Sequence, residues 1–124
     1  MIKKISTDKA PAAIGPYSQA IVTGGLVFTS GQIPIVPATG CVEATDIKGQ
    51  TEQVMKNLGE VLSAAGSSYE KAVKTTCFLA EIADFAAFNE VYAKYFTEKP
   101  ARSCVAVKDL PKGVLVEVEV IAEI

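Results

Sequence analysis

The apolar and polar positions near the C-terminus alternate one by one. Every second residue from Val114 to Ala122 is apolar, and Glu117, Glu119 and Glu123 lie between or beside them. A period of two is that of a β-strand, in which successive side chains point to opposite faces. The segment VLVEVEVIAEI is therefore predicted to be a strand with one core face and one mixed face of glutamates and apolar residues.

Strands are also predicted in the N-terminal third. The first is IKKIST, and GPYSQAIVTGGLVFTSGQIP contains two more, Tyr17–Thr23 and Leu26–Ser30. The two glycines between them are typical of a hairpin turn. The next segment, VPATGCVEATD, contains Pro37 and Gly40 and is predicted to be a loop.

From Ile47 the apolar residues recur at intervals of three and four positions, which is the period of an amphipathic α-helix. This helix is predicted to continue to Ala65, with Asp46 as its N-cap and Gly66 as the glycine that ends it. A β-rich segment, Ala72–Ala80, is predicted to follow as a strand.

A second helix is predicted to begin at Asp84 as its N-cap. Its aromatic residues share one face: Phe85, Phe88, Tyr92 and Phe96. After Pro100, the strand RSCVAV and the turn KDLPKG lead into the final strand.

The predicted order of elements is β-β-β-α-β-α-β-β. The simplest packing is an α+β fold, a two-layer sandwich in which one mixed sheet carries both helices on one face. The opposite face would combine glutamates with apolar residues. Such a face suits an oligomer interface better than a monomer surface.

Length and charge narrow the class of protein. The 124 residues predict a single domain, residues 1–124. The net charge is −2 and the lysines are scattered, whereas nucleic-acid-binding proteins usually gather basic residues into a patch. No apolar run approaches the roughly 18 residues of a membrane span, and MIKKIST lacks the apolar region of a signal peptide. We expect a cytoplasmic protein that binds neither membranes nor nucleic acids.

The residues that usually bind metals form no recognisable pattern. Cys41, Cys77 and Cys104 are odd in number and widely spaced, and histidine is absent. The carboxylates form no DxD or ExxE cluster. We therefore expect no disulfide framework, metal site or organic cofactor.

Arg102 is the only arginine in the chain, beside eleven lysines, and it stands at the start of an apolar strand. A guanidinium binds a carboxylate through two parallel hydrogen bonds, which a lysine ammonium cannot do. Arg102 is therefore a candidate carboxylate-binding residue. The alternative is a structural ion pair with an Asp or Glu.

Other candidates also have a structural alternative. Cys104 shares a strand face with Arg102, and a nearby positive charge lowers the pKa of a thiol, so Cys104 is a candidate nucleophile. The favoured alternative is a small buried hydrophobic residue, since no histidine is present to act as its base. Glu117 or Glu119 is a candidate general base, provided that burial raises the pKa of its carboxyl group. The structural alternative is that both belong to a solvated or salt-bridged edge of the sheet. Three further candidates lie where loops meet strands: Tyr17, Ser30 and Gly31. For the serine and the glycine, a requirement of the turn explains the residue type as well as a functional role does.

Four segments together resemble one family. PARSCVAVKDLPKGVLVEVEVIA resembles the C-terminal signature of the RidA (YjgF-type) family of enamine/imine deaminases. APAAIGPYSQA and FTSGQIP resemble that family's other recurrent stretches in the same order, and DFAAFNEVYAKYF resembles its second helix. The likeness covers essentially the whole chain, with one local departure in the short FTEKPARS connection at an edge of the pocket.

The resemblance implies a chorismate-mutase-like α+β sandwich that forms a homotrimer with active sites between subunits. It also implies hydrolysis of 2-aminoacrylate or 2-aminocrotonate, through the 2-imino acid, to a 2-keto acid and ammonia, with no cofactor. Arg102 would bind the substrate carboxylate, and Glu117 would activate water with help from the Cys104 backbone. The other pocket residues implied are Tyr17, Ser30, Gly31, Phe85 and Asn89.

The same family includes proteins described as ribonucleases, translation inhibitors or chaperone-like proteins. The acidic balance and the missing histidine count against a nuclease. A non-catalytic protein that binds keto acids or similar small metabolites would use the same arginine and pocket. Only turnover separates that alternative from the deaminase.

Overall fold

Both helices and six of the eight strands follow the predicted order. The computed structural model describes residues 1–124. The strands are β1 (Lys3–Ile5), β2 (Ala20–Thr23), β3 (Leu26–Thr29), β4 (Ile35–Val36), β5 (Cys41–Val42), β6 (Ala72–Leu79), β7 (Ala101–Ala106) and β8 (Val116–Glu123). The helices are α1 (Ile47–Ala64) and α2 (Phe85–Tyr95).

Six strands form one mixed sheet in the order β1-β2-β3-β8-β6-β7. Only β6 and β7 are parallel, and α2 connects them; every other neighbouring pair is antiparallel. The C-terminal strand β8 is therefore inserted between β3 and β6. This insertion brings the end of the chain beside residues from its first third.

The core lies between the sheet and the two helices. The apolar side of α1 packs against the alternate residues of β8 that the period of two assigned to the core. Val54, Leu58 and Val61 of the helix and Val116 and Val118 of the strand are fully buried. Burial of each such side chain contributes about 1.5–3 kcal/mol relative to exposure. The mixed α+β sandwich with both helices on one face is thus confirmed.

The helix ends differ from the prediction in detail. Gly66 adopts a φ of 83° and its N–H donates to the Ser63 carbonyl at 3.0 Å, while the Ser67 N–H donates to the Leu62 carbonyl at 2.8 Å. This pair of bonds closes α1 as a glycine commonly does. Asp46 has the extended backbone of an N-cap, but its side chain makes no capping bond.

Asp84 directly precedes α2, which confirms the predicted N-cap position, but it does not cap the helix. It ends a short 3₁₀ turn, Ile82–Asp84, with helical backbone angles (φ −83°, ψ 0°) and no side-chain capping bond. An N-cap needs a non-helical backbone at that residue. The chain therefore enters α2 directly from the turn.

Two strand predictions also need correction. The predicted loop VPATGCVEATD overlaps the β4–β5 hairpin, which turns at Gly40 with a φ of 71°. The strand predicted to begin at Tyr17 begins at Ala20 instead. Ala20 pairs with Ile5, the last residue of β1, and no pairing with β1 extends toward Tyr17. Before that point the Gln19 side chain holds the N-terminal loop, accepting from the Thr7 N–H at 2.7 Å and donating to the Pro11 carbonyl at 2.7 Å.

The face of the sheet away from the helices remains uncovered within the chain. Phe28 and Val105 of this face are exposed, and Glu117 and Glu119 are partly exposed beside Ile121. No helix of the structure combines the length and apolar character that crossing a membrane requires.

Candidate active site

The Arg102 side chain lies on the helix-covered side of the sheet. Arg102 pairs with Thr75, whose side chain is fully buried on that side. Its guanidinium donates from Nη1 to Asn89 Oδ1 at 2.6 Å. The guanidinium carbon lies 4.8 Å from the ring centre of Tyr92 and 5.3 Å from that of Phe85. The guanidinium is therefore held in one orientation by neutral groups.

No carboxylate of the same chain neutralises Arg102. The two ion pairs of the structure are Lys48–Glu90 and Lys94–Glu52, both on the helices. Within one chain, the structural ion pair considered for Arg102 is therefore not formed. An oriented but uncompensated guanidinium is suited to bind an anion.

A cavity of about 330 Å³ opens beside this arginine. Its walls combine apolar and polar side chains and include two cations, Lys99 and Arg102. The complete lining is Asn89, Tyr92, Ala93, Phe96, Lys99, Pro100 and Arg102. Its size fits a small organic anion.

Glu117 lies on the opposite, open face of the sheet. Its backbone pairs with Phe78 of β6, whereas its carboxylate takes part in neither of the two ion pairs of the chain. Burial raises the pKa of the Glu117 carboxyl, and the neighbouring charge of Glu119 raises it further. A half-buried, unpaired carboxylate with a raised pKa is a stronger base than an exposed one, which suits it to accept a proton.

Gly31 packs directly against that carboxylate. A Cβ atom at Gly31 would overlap the Glu117 side chain, so this position accepts only glycine without displacing the carboxylate. The adjacent Gln32 fastens the segment to β8 by two backbone bonds with Val118, at 2.8 and 3.2 Å. The glycine that turn geometry could explain is thus required by the close approach of Glu117.

Tyr17 and Gly31 line a second cavity of about 390 Å³. Tyr17 is exposed, and its N–H donates to the Gly15 carbonyl at 2.9 Å. Pro111 and Lys112 line the same cavity from the turn before β8. The Ser30 hydroxyl donates to the Ser18 carbonyl at 2.6 Å, which joins this loop to the Tyr17 loop.

Cys104 lies beside Cys77 in the parallel β6–β7 pair. Burial raises the pKa of the Cys104 thiol, and the positive charge of Arg102 only partly offsets this. Burial also raises the pKa of Cys77, to about 12. Both thiols are therefore protonated at neutral pH, which disfavours a nucleophilic role for Cys104.

The candidate residues thus form two groups within one chain. Arg102, Phe85, Asn89 and Cys104 lie on the side of α2, whereas Glu117, Gly31, Ser30 and Tyr17 surround the open face. Sequence analysis assigned Tyr92 only to the aromatic face of α2 and missed its contact with Arg102. The signal was present, since Phe85, Asn89 and Tyr92 are spaced four and three apart and so share one helix face.

Comparison with known proteins identifies the family. The family described as Endoribonuclease L-PSP matches residues 7–124. This chain belongs to that family, the RidA (YjgF) family. A 2-iminobutanoate/2-iminopropanoate deaminase of Salmonella typhimurium is 48% identical over 98% of both chains. A Lactococcus lactis protein named as a candidate regulator, AldR, is 52% identical over 99% of this chain and 98% of its own length.

Solved RidA-family structures share the fold. The crystal structure of E. coli TdcF with bound serine has a TM-score of 0.93 and 45% identity, covering 98% of both chains. RidA-family relatives of this chain thus include one named for imine deamination and one named for regulation. The chemistry of the site therefore has to decide between these activities.

Proposed function

We propose that this RidA-family protein is an enamine/imine deaminase. It hydrolyses the 2-imino acids that form from 2-aminoacrylate or 2-aminocrotonate to 2-keto acids and ammonia. The observation that carries the proposal is the uncompensated Arg102 guanidinium, which Asn89 and two aromatic rings hold in place. A relative named for this reaction is similar over its full length.

Arg102 binds the carboxylate of the imino acid. The bond to Asn89 uses one of the five N–H donors of the guanidinium, so enough remain for two parallel bonds. These bonds place the imine carbon at a defined distance from the rest of the site. Such orientation converts a reaction with free water into one between positioned groups.

Glu117 activates the attacking water. The substrate reacts as the protonated imine: the water oxygen bonds to the imine carbon, the C=N π electrons move to the nitrogen, and one water proton passes to the Glu117 carboxylate, giving a neutral carbinolamine. Glu117 returns its proton to the nitrogen, and the C–N bond then breaks as the hydroxyl oxygen forms the keto C=O bond and gives its proton back to the Glu117 carboxylate, which releases ammonia. The raised pKa of Glu117 suits both the acceptance and the return of this proton.

The site requires two copies of the chain. Arg102 and Glu117 lie on opposite faces of one sheet and cannot both contact a small substrate from the same subunit. The uncovered face around Glu117 is suited to receive a second copy. We infer a homotrimer in which Arg102, Cys104 and Asn89 of one subunit meet Glu117, Gly31 and Tyr17 of the next.

The test is turnover of imines generated in the assay. A pyridoxal-phosphate dehydratase acting on serine or threonine supplies the enamine, and keto acid and ammonia are measured with and without the protein. Imines from leucine and aromatic amino acids complete the series. We expect acceleration with the small aliphatic imines, and its loss in Arg102→Ala.

The second candidate is a protein that binds small amino-acid metabolites without turnover. TdcF with bound serine shows a related chain holding an amino acid. Tight binding of pyruvate with no acceleration of imine hydrolysis would favour this alternative. RNA incubated with protein freed of contaminating nuclease tests the activity in the family description.

A further inference from the structure

Tyr92 lies directly against the Arg102 guanidinium and is itself fixed in the core. Its ring centre is 4.8 Å from Arg102 Cζ, and its hydroxyl forms a 2.7 Å hydrogen bond with Thr75 Oγ1. The ring stacks on Phe96 at 4.7 Å and contacts Phe88 at 5.5 Å. Tyr92 is only 7% exposed, so its neighbours restrict the movement of the ring.

Asn89 alone does not define the plane of the guanidinium. One hydrogen bond fixes one nitrogen and leaves rotation about that bond free. An aromatic ring attracts a cation through its negative face, which adds a second, independent constraint. Phe85 supplies a weaker contact because it is more distant and more exposed.

We propose that Tyr92 is a positioning residue, which sets the orientation in which Arg102 receives the substrate carboxylate. The hydroxyl of Thr75 holds the ring, and the ring holds the guanidinium. The effect of Tyr92 on turnover rests on the proposed function, whereas the orientation of the Arg102 guanidinium by Tyr92 does not. The two parts can therefore be tested separately.

The orientation is tested by NMR, because the chain contains a single arginine. Its ¹⁵Nε–¹Hε signal is unique in the spectrum, and the ring current of a neighbouring aromatic shifts it. We expect NOEs between the Arg102 side chain and the Tyr92 ring in the wild-type protein. We also expect Tyr92→Leu, but not Tyr92→Phe, to move the signal toward the position of an unstructured arginine.

The function is tested by pyruvate binding and by steady-state kinetics of imine hydrolysis. Tyr92→Leu should weaken pyruvate binding and raise KM by between about two- and thirtyfold, the range that a cation–π contact supplies. Its kcat should change less than its KM. Tyr92→Phe keeps the ring and should bind pyruvate within about twofold of the wild type, although loss of the Thr75 bond lowers its stability.

Val91→Ala is the matched control, because Val91 is a buried residue of the same helix that makes no cation–π contact with Arg102 and does not line its cavity. It should lower stability without changing pyruvate affinity or the Arg102 signal. An effect of Val91→Ala equal to that of Tyr92→Leu would overturn the proposal in favour of a general packing role. Missing NOEs in the wild type would overturn it even if Tyr92→Leu does not fold.

Arg102→Ala separates the two levels of inference. If Arg102→Ala loses pyruvate binding and Tyr92→Leu does not, the positioning role is wrong and the proposed function stands. If Arg102→Ala keeps both binding and turnover, the carboxylate-binding role of Arg102 is wrong, and if the wild-type protein does not accelerate imine hydrolysis, the proposed function is wrong. In either case the NMR result alone decides whether Tyr92 orients the arginine.

Discussion

Arg102 and Glu117 lie on opposite faces of the same sheet, two strands apart. Arg102 pairs with Thr75, and Glu117 pairs with Phe78 on the same strand. Positions three apart on a strand point to opposite sides. The residue proposed to bind the substrate and the residue proposed to activate water are therefore separated by the sheet in each chain.

This separation predicts complementation between inactive variants. Arg102→Ala and Glu117→Gln should each be inactive alone. In a closed trimer each site takes Arg102 from one subunit and Glu117 from the next. In trimers reassembled from an equal mixture of the two variants, each of these residues is intact in half of the subunits, so about a quarter of the sites contain both. We expect about that fraction of wild-type imine hydrolysis to return. If mass spectrometry shows that mixed trimers have formed and no activity returns, the composite site is contradicted.

The trimer itself is tested by light scattering of the wild-type protein, which should report three times 13.1 kDa.

Arg102→Lys should be severely impaired although the charge is kept. One ammonium cannot form the paired bonds that orient a carboxylate, and it loses the planar contact with Tyr92. Loss of a charge-assisted bond costs about 1.5–3 kcal/mol, or roughly ten- to a hundredfold in kcat/KM. Steady-state kinetics on a folded variant measures this, and near-normal activity would reduce Arg102 to an electrostatic role.

Glu117→Gln should bind pyruvate normally but lose turnover by about 10²–10⁴-fold, the effect of removing a general base. Glutamine keeps the size and hydrogen bonding but cannot take up a proton. Glu119→Gln is the matched control on the same strand face. If Glu119→Gln is the inactive variant, the assignment is displaced along the strand, and if both are active, the water is activated elsewhere.

The same residue predicts a pH dependence with a defined sign. Since the folded protein raises the pKa of Glu117, kcat/KM should fall as the pH drops through that raised value, and Glu117→Gln should lack this limb. A carboxyl group whose pKa is higher in the folded than in the unfolded protein adds stability at pH values below its pKa in the unfolded protein. That stability is lost as the pH rises through its pKa in the folded protein. At pH 7 Glu117→Gln should therefore be at least as stable as the wild type in urea unfolding.

Gly31→Ala should lose activity with little loss of stability. The added methyl group meets the end of the flexible Glu117 side chain, which can move aside. Displacement of a catalytic group by about 1 Å can cost around a hundredfold in rate. Activity and thermal unfolding measured together check this, and full activity would place the reacting carboxylate away from Gly31.

Cys104→Ser should retain most of the activity. The pKa of the thiol is raised by burial, so little thiolate is present to act as a nucleophile. Imine hydrolysis by the folded variant, and mass spectrometry of the wild type during turnover, provide the measurement. A complete loss of activity or a covalent adduct on Cys104 would instead indicate catalysis through sulfur.

The elements that the sequence predicted well are those with a strong local period. The alternation from Val114 to Ala122 assigned every buried position of that strand correctly. The spacing of apolar residues in α1 and the stop at Gly66 were confirmed, because both depend on contacts within a few residues. The β4–β5 hairpin and the missing capping bond of Asp84 were not predicted, since both depend on where the neighbouring chain runs.

The sequence by itself determined which residues were available for chemistry: one arginine, no histidine and a glutamate within an alternating strand. Tertiary structure decided that Arg102 has no acid partner, that Gly31 touches Glu117 and that Tyr92 orients the guanidinium. It also decided that Arg102 and Glu117 point away from each other. The physical reason is that sheet faces and neighbours follow from strand order and register, and insertion of β8 between β3 and β6 joins segments far apart in the chain.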